Sequence, residues 1–63
     1  MKPVLSKLKL KRLLICKTQQ EVAETIGVSR VYIAHLENGR EPLRGSILKK
    51  LADYYRCSMA DLI

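Results

Sequence analysis

The stretch TQQEVAETIGVSRVYIAHLENG, Thr18 to Gly39, decides the fold. Thr18 suits a helix N-cap, because its hydroxyl accepts a backbone N–H left unpaired at a helix start. Glu21 stands three residues on, completing the pattern of a capping box. Val22, Ala23 and Ile26 then share one helical face. Gly27 follows, where a left-handed residue ends a helix without a Cβ penalty. Ser29 restarts the pattern as a second cap, Ile33 and Leu36 form a second buried stripe, and Asn38-Gly39 closes it. The reading is two short helices joined by a tight, glycine-containing turn.

The chain outward from this stretch is short and basic. Sixty-three residues with a formal charge of +6 make one domain. A chain of that length buries only about 60% of its unfolded surface, so dimerisation is expected to help it. The excess of Lys and Arg, with a pI near 9.7, suits a polyanionic partner, either nucleic acid or an anionic membrane surface. Cys16 and Cys57 lie far apart, and with His35 as the one histidine they give no metal-ligand spacing. Two buried, reduced thiols are expected, in keeping with a cytoplasmic protein. The alternation of lysine and leucine at the N-terminus excludes a signal peptide. No run approaches the ~20 apolar residues that span a bilayer.

Met1 to Lys17 reads as a first helix starting near Pro3, which is tolerated in a first turn. Val4, Leu5, Leu8 and Ile15 share one face, and Arg12 falls on it. Leu10, Leu13 and Leu14 form a second apolar arc, left to pack on the C-terminal helices, to hold a partner, or to meet a membrane surface. Arg40 to Gly45 is a loop, with Glu41 held extended by Pro42. Gly45 to Tyr55 is a fourth helix, carrying Ile47, Leu48, Leu51, Ala52 and Tyr55 on its inner side. Arg56-Cys57 connects it to a last turn or two, where Ser58 and Asp61 repeat the capping pattern.

Within 18–39, the residues Thr18-Gln19, Glu21-Val22-Ala23, Gly27-Val28-Ser29, Tyr32-Ile33 and Leu36-Glu37-Asn38-Gly39 resemble the Xre family of helix-turn-helix DNA-binding domains, the family of the phage repressor and Cro proteins. Weaker likeness extends to Arg12, to Leu51-Ala52, and to Ser58 through Leu62, so it covers nearly the whole chain. The resemblance implies an all-α, compact, five-helix, lambda-repressor-like fold over residues 1–63. It also implies a partner for Arg12. An arginine on a core face must be paired, since burying the charge alone costs several kcal/mol. The family commonly sets a glutamate at the position of Glu37 against it. The chain departs from the family at Cys16, where glycine is usual, at Lys17, where an apolar residue is usual, and at Gly45, where a bulky apolar residue is common.

The second motif helix, at 100° per residue, puts Ile33, Leu36 and Glu37 on one side and Arg30, Val31, Ala34, His35 and Asn38 on the other. In helix-turn-helix proteins this helix enters the major groove of double-stranded DNA. The family reads bases from these same positions, here Arg30, Val31, Ala34 and His35. Arg30 can bond guanine O6 and N7, and Val31 and Ala34 can pack on a thymine methyl. Phosphate contacts are expected from Thr18 and Gln19, at a helix N-terminus, and from Tyr32, Asn38, Arg40 and Arg44. The expected function is that of a transcriptional regulator, a repressor binding a palindromic operator as a homodimer. The alternative is a protein-interaction module or antitoxin-type protein that uses the fold to hold a protein partner. No nucleophile–base pair, paired carboxylates, metal site or phosphate-cradling glycine loop supports an enzyme, and no cofactor is implied.

Overall fold

Capping chemistry sets the starts of α1, α2, α3 and the last turn in the computed structural model, which describes residues 6–63. Four α-helices, α1 (Lys7–Leu14), α2 (Gln19–Ile26), α3 (Arg30–Glu37) and α4 (Gly45–Tyr55), are followed by a 3-10 turn, Met59–Leu62. Thr18 Oγ1 accepts the Glu21 N–H at 3.0 Å, and the Glu21 carboxylate accepts the Thr18 N–H at 2.8 Å. That carboxylate, held by two groups of the cap and near Lys17, stays below its ordinary pKa. Gly27, at φ 91°, stops α2 in the left-handed region, where a side chain would be strained. Ser29 Oγ then accepts the Tyr32 N–H at 3.1 Å and starts α3. Ser6 Oγ does the same for α1, accepting from Lys9 N–H at 3.1 Å. In the last turn, Ser58 N–H donates to the Asp61 carboxylate at 3.3 Å.

These short helices are held by burial rather than by propensity, since isolated helices under about 12–15 residues are marginal in water. Each contributes to one core: Leu8 from α1, Val22 and Ala23 from α2, Ile33 and Leu36 from α3, Leu51 and Ala52 from α4, and Leu62 from the turn. Ile33, Leu51 and Val22 are the largest fully buried side chains, and each contributes roughly 1.5–3 kcal/mol of transfer free energy. Ile26, Tyr32, Ile47, Leu48 and Tyr55 pack half-buried around them. The α2–α3 pair forms the tightest unit, and α1 closes over α3 with the C-terminal turn beside it.

The first helix is where sequence and structure part. It does not run from Pro3 to Lys17. Ser6 is extended (ψ 154°) and caps a helix of eight residues ending at Leu14. Pro3, Val4 and Leu5 lie outside the described residues. Because the helix stops early, Ile15 leaves the inner face and is 45% exposed. Cys16 follows at φ 57°, the left-handed conformation that glycine adopts freely and other residues adopt at a cost of roughly 1–2 kcal/mol. Its side chain is exposed, not buried as expected, while Cys57 is half-buried, and both are free thiols. The expected fifth helix is one turn of 3-10 helix.

Candidate nucleic-acid interface

α3 is divided along its length. Ile33, Leu36 and Glu37 point inward and are buried. Arg30 and Asn38 are exposed, and Val31 is 50% exposed despite being apolar. Ala34 and His35 are half-buried between these faces, and Tyr32 packs against the core. Of the four residues assigned to base edges, Arg30 and Val31 therefore stand outermost, at the N-terminal end of α3. Ala34 and His35 sit lower on the same side.

The far end of α3 is tied down by its own carbonyls. Asn38 N–H bonds the Ala34 carbonyl at 2.9 Å, and the His35 carbonyl accepts from Arg40 N–H at 2.8 Å and Glu41 N–H at 3.3 Å. Gly39, at φ 77°, makes the reversal possible. Arg40 is thus fixed in backbone position against the end of α3, with its side chain exposed. Arg44, also exposed, is the residue before α4 and supplies no side-chain cap.

Under α3 lies a polar cluster that joins three elements. Arg12 Nε donates to Glu37 Oε2 at 2.8 Å, and its terminal nitrogens donate to Glu37 Oε1 at 3.2 Å and to the Lys17 carbonyl at 2.9 Å. Arg12 is 8% exposed and Glu37 5%. Two parallel bonds to one carboxylate give the fork geometry that guanidinium is built for. The hydrogen-bonded Glu37 carboxylate raises the Arg12 pKa above its ordinary value against the opposing effect of burial. Gln19 completes the cluster: its side-chain amide donates to Glu37 Oε1 at 3.0 Å. No sequence pattern points to that bond, because residues 19 and 37 meet only when α2 packs on α3.

Gln19 therefore stands at the start of α2 with its side chain turned toward Glu37 and half-buried. Its amide keeps a second N–H, and the first turn of α2 has backbone N–H groups beyond the one that Thr18 caps. Thr18 itself is exposed. Among the described residues, no group of His, Cys, Asp and Glu side chains is placed to hold a metal ion. No helix among them is long and apolar enough to cross a membrane.

Residues 8–62 match a family model described as helix-turn-helix. No curated protein and no solved structure matches the chain.

Proposed function

The chain belongs to the Xre-like helix-turn-helix family, that of the phage repressor and Cro proteins and one of DNA-binding regulatory domains, and on that premise we propose that it is a sequence-specific, cytoplasmic transcriptional repressor. It binds a palindromic operator as a homodimer, with the two α3 helices in successive major grooves about 34 Å apart. One observation carries this reading: α3 commits Ile33, Leu36 and Glu37 to the core and leaves Arg30 and the apolar Val31 exposed together at its N-terminal end. That pairing suits a guanine edge beside a thymine methyl. His35 and Ala34 extend the readout further along the helix. Thr18, Gln19, Tyr32, Asn38, Arg40 and Arg44 set register on phosphates, with Arg40 oriented by the bonds of its backbone to the end of α3. Repression follows from occupancy of the operator.

Selection of duplexes from a random pool at near-physiological salt, followed by sequencing, tests the proposal. A two-fold-symmetric enriched site is expected. A short site without symmetry would remove the dimer. Binding that enriches no sequence and vanishes with added salt would leave only phosphate attraction and would overturn specific recognition.

A further inference from the structure

The whole net charge of the chain resides in its first twenty residues. Lys2, Lys7, Lys9, Lys11, Arg12 and Lys17 are there and no acid is, whereas the remaining residues carry six basic and six acidic side chains. The reading helix belongs to the balanced part. Arg12 is neutralised by Glu37, and the other ion pair among the described residues is Lys49–Asp53, so among those residues no α1 lysine is paired with an Asp or Glu side chain.

Those lysines frame an apolar surface. Leu10 and Leu13 are each 45% exposed and Leu14 is 69% exposed. At about 100° per residue, Leu10 and Leu14 lie roughly 200° around α1 from Leu8 and Arg12. Leu8 and Arg12 point into the core, and Arg12 points at α3. The leucines therefore face away from α3. Lys7 lies in line with Leu14, seven residues on, and its ammonium donates to the Ile63 carbonyl at 2.8 Å. Ile63, exposed, brings an apolar side chain to that end, and Met59, also exposed, belongs to the turn that packs beside α1.

We propose that this face of α1 is a docking surface for an amphipathic helix of a partner protein, one whose leucine-type anchors are flanked by glutamate or aspartate. Charge decides the occupant. A second copy of this chain would bring lysines against lysines, with no acid on α1 to relieve them, and like charges brought together oppose association. A membrane surface would accept the charge, but the inner side of this eight-residue helix is committed to the core. Outside, its apolar stripe is three leucines, Leu10 to Leu14, little more than one turn, a small area beside the continuous apolar face that interfacial helices bury in lipid. A helix laid along the stripe uses anchors at i, i+3, i+4 and i+7 against Leu10, Leu13 and Leu14, with acidic flanks meeting Lys7, Lys9 and Lys11. Because the surface faces away from α3, partner and DNA occupy the domain together. The inference uses no residue assigned to DNA, so it and the DNA reading fail separately.

The probe is a synthetic helix-forming peptide of about 18 residues, above the length at which isolated helices are marginal, with a leucine stripe flanked by glutamates. Its partners in the test are a scrambled peptide and a lysine-flanked one. With the intact chain, the acid-flanked peptide is expected to bind, to shift amide resonances of α1 and Met59–Ile63, and to leave those of α3 unmoved. Leu14→Glu, at an exposed position that tolerates charge, is expected to weaken binding at least tenfold, and Leu10→Ser to weaken it several-fold. Circular dichroism checks that both variants are folded. Absence of binding, equal binding of the scrambled or lysine-flanked peptide, or indifference to Leu14→Glu overturns the proposal. So does self-association lost in Leu14→Glu, which assigns the face to a second copy, or Leu14-dependent binding to anionic phospholipid vesicles, which assigns it to a membrane.

Discussion

α1 and α3 are helices of equal length doing the same work on their inner sides. Each runs eight residues from a serine cap, and each sends one charge into the core, beside one apolar side chain from α1 and two from α3. Leu8 and Arg12 from one meet Ile33, Leu36 and Glu37 from the other. Outside, they have nothing in common. α3 presents Arg30, Val31 and Asn38, mixed in chemistry and able to discriminate between hydrogen-bonding edges. α1 presents leucines among lysines, which suit an apolar, acidic counterpart and cannot read a pattern of donors and acceptors. Inward faces are set by the need to fill one core and pair one charge, so they converge. Outward faces are free of that demand, and there the two helices diverge.

The largest effect is expected where the inward faces meet. Arg12→Met leaves Glu37 buried without its partner and should lower the unfolding free energy by about 3–5 kcal/mol, much of what a small domain has. Adding Glu37→Leu should restore most of the loss, since an apolar pair of similar volume is often neutral. Urea titration of the three variants gives the cycle, and a loss below about 1 kcal/mol for the single change would mean that the shared charge does not join the helices.

The outward faces separate next. Arg30→Ala should weaken binding to the selected operator by about 1–3 kcal/mol and relax one base position. Leu14→Ala should leave that affinity within about 0.5 kcal/mol, the usual range for a surface change. Titrating both proteins onto the same duplex reads the contrast directly.

The caps sharpen the comparison at lower amplitude. Ser6→Ala and Ser29→Ala each remove one cap bond and should cost about 1 kcal/mol, or roughly 4–8 °C in thermal midpoint for a domain of this size. Only Ser29→Ala should also weaken operator binding, because it frays the end of α3 that carries Arg30.

The smallest effect is one of pH. Tyr55 is half-buried, and its burial, with the nearby Glu37 charge adding to it, raises the phenol above its ordinary pKa of 10.0. The folded state thus holds this proton more tightly than the unfolded state. Its contribution is complete below pH 10 and is lost as pH rises past that value. Tyr55→Phe should flatten the fall in stability above pH 10, measured as urea midpoints against pH.

Most of the fold was legible because its punctuation is local. Thr18 with Glu21, Gly27, Ser29 and Gly39 mark helix ends by chemistry that acts within four residues, and the structure has each in that place. α1 was not, for the same reason. Ser6 caps it with Lys9, not an acid, at the third helical position, so no capping box shows, and Pro3 offers a competing start. At its other end the left-handed residue is Cys16 where a glycine would have announced the stop. The six apolar residues from Leu5 to Ile15 then fit more than one face, and periodicity turns Ile15 inward on a helix that ends before it. In the candidate site, periodicity puts Ile33, Leu36 and Glu37 inward and Arg30, Val31 and Asn38 outward, as the structure has them, but it also puts Ala34 and His35 outward, where packing leaves both half-buried. The bond from Gln19 to Glu37 depends on tertiary packing and leaves no trace in spacing.

Arg12 meets Glu37 across 25 residues of chain, whereas α2 and α3 are neighbours in sequence and pack as they form. Closing the longer loop carries the larger entropy cost, and stripping water from a guanidinium is favourable only once its carboxylate is in position. On that ground the α2–α3 unit is expected to condense before α1 docks onto it. Contacts made after the rate-limiting step act on the reverse reaction, so the buried pair works as a latch, governing how long the native domain persists more than how quickly it is reached.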